Sequence, residues 1–156
     1  MDRLIYHGSY IEIEFPEIRT HRYTKDFSWG FYCTEIKEQA EKWANSFDTP
    51  VVSVYRLNGI DDFNIKIFDG YTDEWLEFVV NCRSGKTHNY DIVIGAMADD
   101  TIYEYLEGYR AGRMNKQKFF DLMKFKYPTH QISFHSIRAL DCIDFVKSYT
   151  PSKEAL

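Results

Sequence analysis

Three short segments of this chain hold side chains able to act together on a ligand. His7-Gly8-Ser9 follows the apolar run Leu4-Ile5-Tyr6 and stands at the end of an expected strand. A histidine there donates hydrogen bonds to a ligand, and the glycine lets that ligand approach backbone N–H and C=O groups closely. Gly30-Phe31-Tyr32-Cys33-Thr34 offers an aromatic strand face on which a planar ring stacks, with Gly30 leaving room for a passing chain. In Gln131-Ile132-Ser133-Phe134-His135 the period is two, so Gln131, Ser133 and His135 share one face and Ile132 and Phe134 the other. Taken singly, each has a plainer reading: a turn histidine, a core strand ahead of a helix cap, and a sheet face that meets water.

Other charged groups are weaker candidates. Asp99-Asp100 could supply an acid or base, although two acids directly before a helix more often cap it. Arg22, Lys25 and Arg83 are cations suited to a pyrophosphate, against the bland reading of solvated surface. His21, His88 and His130 have no metal-ligand spacing, and no metal site is expected. Cys33, Cys82 and Cys142 are odd in number, widely spaced and without any CxxC pair, so neither a disulfide framework nor a zinc site is signalled. A reducing cytoplasm is the expected setting. Walker, GxGxxG, HExxH and GxSxG motifs are all missing from the sequence.

These groups need a scaffold, and 156 residues suffice for one domain with a core of its own. We expect a single domain over residues 1–149 and a polar tail over 150–156. The composition, 44% hydrophobic and 28% charged, is that of an ordinary globular chain, with an excess of aromatics at 17%. A net charge of -5 argues against binding nucleic acid through phosphate attraction alone, though a local patch can overrule the total. No run of 18 apolar residues suggests a membrane span, and the first residues do not form a secretory signal.

Hydrophobic periodicity orders the elements. The strands expected are 4–7, 29–34, 51–57, 64–68, 90–95, 131–135 and one near Phe145. Residues 10–28 have no sustained period and read as irregular chain over a ligand or an edge. Thr34 is the expected cap of a helix whose apolar face is Ile36, Ala40, Trp43, Ala44 and Phe47, packed on the sheet. A second helix over 73–81 presents Trp75, Leu76, Val79 and Val80. A third begins near Thr101, and a fourth covers 116–126. About seven strands and four helices without regular alternation indicate an α+β fold.

In their order and company, Tyr6-His7-Gly8-Ser9, residues 26–34 leading into Gln39-Ala40 and Trp43-Ala44, residues 90–100 and Gln131-Ile132-Ser133-Phe134 resemble a bacterial family related to ADP-ribosyltransferases. The resemblance covers roughly residues 4–145. It implies a split, bent β-sheet core with flanking helices, gripping NAD as co-substrate. By position it makes His7 the histidine on the adenosine-side ribose, Gly8 the glycine whose backbone holds the nicotinamide amide, and Tyr32 the ring stacked on nicotinamide, with Ser9 and Phe31 beside them. Gln131 falls where the family has a third, acidic residue, and so orients the ribose without charge. The implied activity is mono-ADP-ribosyl transfer to a protein or nucleic acid, in a toxin or defence effector with a neutralising antitoxin partner and no membrane. NAD glycohydrolase and a catalytically silent NAD- or protein-binding member are the alternatives. A carboxylate near the ribose would come from Asp99 or Asp100, and Gln131→Glu is expected to speed NAD cleavage if the missing charge limits the rate.

Overall fold

Val51–Leu57 (β3) has three valines and a tyrosine among its seven residues and is buried over most of its length, and it is the middle of a sheet. The computed structural model describes residues 3–19, 25–98, 102–123 and 129–152. Antiparallel neighbours flank β3: Arg3–Ser9 (β1) on one side and Ile143–Tyr149 (β7) on the other, the latter with a register shift between Val54 and Tyr55. A second sheet has the order Phe31–Cys33 (β2), Gln131–Phe134 (β6), Ile92–Gly95 (β5) and Ile65–Ile67 (β4). Its pairs are antiparallel except β4 with β5, so the fold is α+β with one mixed sheet.

Alternation along each strand sorts the side chains into layers. Ile5, Tyr55 and Leu57 from the first sheet meet Phe31, Ile92, Ile132 and Phe134 from the second in one core cluster. On the far face of the first sheet, Val52 and Val54 pack against Ala40 and Ala44 of Lys37–Ala44 (α1). On the far face of the second, Val93 packs against Trp75, Leu76 and Val79 of Asp73–Arg83 (α2) and against Phe119 of Lys116–Met123 (α4). Ile102–Arg110 (α3) precedes α4, and the single turn Ile137–Leu140 (α5) precedes β7.

The caps explain where the helices start. Thr72 accepts from the Trp75 N–H at 3.1 Å at the head of α2, where Asp73 and Glu74 complement the dipole. Thr34 does not cap α1 as expected: its hydroxyl accepts from Ile36 N–H at 3.0 Å, and the helix begins three residues after it, at Lys37. The expected apolar face of α1 also needs correction. Ala40 and Ala44 are buried, but Trp43 is 45% exposed, because the close approach of the helix to β1 leaves room beneath it only for small side chains. Residues 10–19 form no strand or helix, as expected, and cover β3 through Ile13, whose N–H reaches Ser53 Oγ.

Candidate functional site

The two sheets are joined where β1 passes β2. Tyr6 and Thr34 form an isolated antiparallel bridge, with N···O distances of 2.8 and 2.9 Å. Beside it lies a cavity of about 650 Å³, walled by β1, β2, α1 and the first residue of β6. It brings His7, Gly8, Tyr32 and Gln131 together. Ser9 and Phe31 are not on this wall. Ser9 is buried opposite Val51, and Phe31 belongs to the core beneath His7.

His7 is two residues beyond Ile5 on the core face of β1, and its ring stacks on Phe31 with centroids 4.4 Å apart. Its Nδ1 is 2.6 Å from the Tyr32 carbonyl oxygen. A carbonyl only accepts, so Nδ1 carries the proton and Nε2 presents a lone pair. Among the described residues Nε2 has no partner and is not sealed off, so it is an acceptor open to the cavity. Burial pushes the pKa down to about 4, against the Tyr32 bond and with the help of the Lys25 charge, and the ring is neutral at pH 7.

Gly8 is required by packing: a Cβ there would lie 2.2 Å from the Ala40 carbonyl oxygen of α1. The expectation that this glycine makes room for a ligand is therefore answered by a helix on its missing side chain. Its backbone faces elsewhere. Amide groups of alternate residues point to the same strand edge, and Tyr6 uses that edge for Thr34. The N–H and C=O of Gly8 consequently point past Thr34 toward the cavity, one donor beside one acceptor.

Tyr32 is held at its tip. Its hydroxyl donates to Ser28 O at 2.5 Å and accepts from Phe27 N–H at 3.0 Å, fixing a turn in which Ser28 has φ 75°. Burial, with the nearby Asp26 charge, keeps the phenol protonated well above the ordinary range. The Lys25 ammonium lies 5.1 Å from the ring centroid, so one ring face already holds a cation.

At the cavity floor is a carboxylate that the sequence reading did not single out. Asp26, 4% exposed, takes Arg83 Nε and Nη2 on Oδ1 at 2.8 and 2.5 Å. Its Oδ2 accepts from Ala98 N–H at 2.8 Å and from Gln131 Nε2 at 3.0 Å. Arg83, expected as a pyrophosphate contact, thus neutralises a buried acid. Asp99, Asp100, Arg22 and His21 lie outside the described residues. The available signal for Asp26 was an acid placed directly before Phe27 and inside the aromatic run that ends at Tyr32. Trp43, on the α1 wall, was misread through its helical spacing.

His88, His130 and His135 make structural contacts. Nε2 of His88 meets Phe27 O at 2.8 Å while its Nδ1 accepts from Tyr90 N–H at 3.0 Å. His135 Nδ1 meets Trp29 O and its Nε2 meets Ser133 Oγ, both at 2.7 Å. The two rings touch edge to face at 4.4 Å. Gln131, Ser133 and His135 accordingly do not form one ligand-facing row: Gln131 reaches the cavity, while Ser133 is fully buried and His135 closes on the loop before β2. His130 is gripped through its backbone by the Gln39 amide at 2.7 and 3.1 Å. Among the described residues no group of His, Cys, Asp or Glu is arranged to hold a metal ion, the three cysteines are buried and form no disulfide, and no helix is long and apolar enough to cross a membrane.

No curated protein and no solved structure matches the chain. A family model does match, over residues 3–145, a span from β1 into β7 that includes every wall residue discussed above. The chain belongs to that family, described as "Protein of unknown function (DUF3990)".

Proposed function

We propose that the cavity binds NAD and that this protein is an NAD-dependent mono-ADP-ribosyltransferase. The observation that carries this reading is the convergence of His7, Gly8, Tyr32 and Gln131 on one cavity of about 650 Å³. That volume is within the roughly 300–1,000 Å³ of ligand pockets. The polar groups suit the parts of the substrate: the Gly8 N–H and C=O are complementary to a carboxamide, as on nicotinamide, and the nicotinamide ring would stack on Tyr32 in place of the Lys25 ammonium. The lone pair of neutral His7 and the Gln131 carbonyl accept from ribose hydroxyls.

In the reaction the bond from ribose C1′ to the nicotinamide nitrogen breaks, and its electron pair leaves with neutral nicotinamide. The acceptor nucleophile joins C1′ and releases its proton. Positive charge builds on the ribose along this path, and positioning of both reactants lowers the barrier. The acceptor in this reading is a protein or nucleic acid of the same cytoplasm, and a toxin of this kind needs an antitoxin partner. The two sheets joined at the Tyr6–Thr34 bridge are what a split, bent ADP-ribosyltransferase core would use to grip the dinucleotide.

The deciding experiment follows nicotinamide released from labelled NAD, with and without cell lysate, using His7→Ala as control. Release that depends on His7, with label on a macromolecule, is the expected result. Label recovered as free ADP-ribose would make the protein an NAD glycohydrolase. Thermal stabilisation by NAD without release would make it a silent binding module, and the absence of both release and stabilisation would overturn the NAD reading.

A further inference from the structure

The Gln131 side chain is fixed by more than its own strand. Both hydrogen bonds of its Nε2 go to groups that only accept: Asp26 Oδ2 at 3.0 Å and Ala96 O at 3.2 Å. This assigns the amide without ambiguity, because the opposite orientation would face an oxygen to two oxygens. The oxygen Oε1 is left as the group that a cavity ligand meets. Each partner is itself held. Ala96 O also takes the indole N–H of the fully buried Trp75 at 3.0 Å, and Asp26 is secured by Arg83 and Ala98 N–H. Trp75 and Arg83 stand near opposite ends of α2, so one helix braces both anchors of the glutamine.

We propose that Asp26 is a positioning residue, which with Arg83 sets the Gln131 amide so that the cavity offers an acceptor to a ligand hydroxyl and excludes a carboxylate at position 131. The inference deepens the NAD reading by naming the group that faces the ribose and the reason it bears no charge. The site has its carboxylate already, at the cavity floor and bonded to the Gln131 amide. A glutamate at 131 would place a second carboxylate about 3 Å from Asp26 and turn an oxygen toward Ala96 O as well. It would take up a proton or swing away, so Gln131→Glu impairs the site, whereas the sequence reading expects a gain only if the missing charge limits the rate.

The amide itself can be read by NMR of ¹⁵N-labelled protein at pH 7. Both Gln131 Nε2 protons are expected to exchange slowly in the unsubstituted protein. In Asp26→Asn, whose own amide cannot accept at every former contact, they lose protection while the backbone spectrum remains folded. In the nicotinamide assay, loss of one oriented hydrogen bond lowers kcat/KM roughly 10- to 100-fold for Asp26→Asn, and Gln131→Glu falls in the same direction. Fast exchange of the Gln131 protons in the unsubstituted protein overturns the positioning role whatever the activity does, as does a Gln131→Glu protein faster than its parent. A parent that neither releases nicotinamide nor binds NAD defeats the NAD reading alone. Fast exchange in the unsubstituted protein overturns the role of Asp26 even if Asp26→Asn does not fold, and in that case Asp26→Glu, which moves the carboxylate, takes its place in the exchange comparison.

Discussion

His7 and His135 are nearly the same residue by the usual measures of a functional histidine. Both are half-buried, both have a pKa pushed down to about 4 chiefly by desolvation, and both set Nδ1 against a backbone carbonyl, at 2.6 and 2.7 Å. They differ at the second nitrogen. His135 Nε2 is taken by Ser133 Oγ, whereas His7 Nε2 opens on the cavity. A perturbed pKa therefore marks burial in both regions, and a group left without an intramolecular partner marks the site in one. Around His135 the hydrogen bonds hold the 27–29 turn to the second sheet. Around His7 they leave one acceptor for something else.

The largest effects should come from removing the two rings in turn. His7→Ala is expected to lower nicotinamide release on the order of 100-fold, the penalty of losing a positioning contact. His135→Ala should leave turnover per folded molecule within a few-fold but lower stability by about 3 kcal/mol, measured by denaturant unfolding, since it opens a void and strands Trp29 O. Equal losses of turnover in both variants would erase the distinction.

Acid should treat the two regions alike. Both rings are neutral when folded, and an unfolded histidine takes up a proton below about 6.5, so the unfolded chain binds more protons between pH 6.5 and 4. Stability is then full above pH 6.5 and falls as the pH drops toward 4, with each ring contributing up to about 1.4 kcal/mol per pH unit. His88 and His130, whose pKa values are also lowered by burial, add in the same direction. Unfolding curves across this range should lose part of their slope in either alanine variant, and a slope unchanged in both would refute the assignment.

Tyr32 gives the smallest and sharpest contrast. Tyr32→Phe keeps the ring but strands Phe27 N–H and Ser28 O, and should cost about 1–2 kcal/mol of stability with NAD affinity little changed. Tyr32→Ala should weaken NAD binding by about 1–3 kcal/mol through loss of stacking. Titration calorimetry with NAD on both variants separates the hydroxyl from the ring.

Most strands and the α+β class were legible because short β-branched apolar runs such as those in 51–57 and 90–95 are bounded by turn residues. The site was half legible. His7, Tyr32 and Gln131 stood out through turn, aromatic and alternation signals, and they do reach one cavity. Asp26 did not, because its significance depends on Arg83, Ala98 and Gln131, partners that no local window contains. Trp43 shows the reverse error: helical spacing promised a core residue, but α1 presses so closely on Gly8 that the indole is left on the cavity wall.

The spread of the Asp26 partners along the chain bears on when this protein becomes competent during its synthesis. Residues 26, 83, 98 and 131 must all be present before the floor of the cavity closes, and loops of that length gain nothing until their ends meet. β6, which delivers Gln131 and pairs with both β2 and β5, is the sixth of the seven strands among the described residues to emerge. A ribosome-bound chain that stops short of it carries His7 and Tyr32 but no assembled cavity. Whatever chemistry the site performs begins only after Gln131 has been made and has reached Asp26.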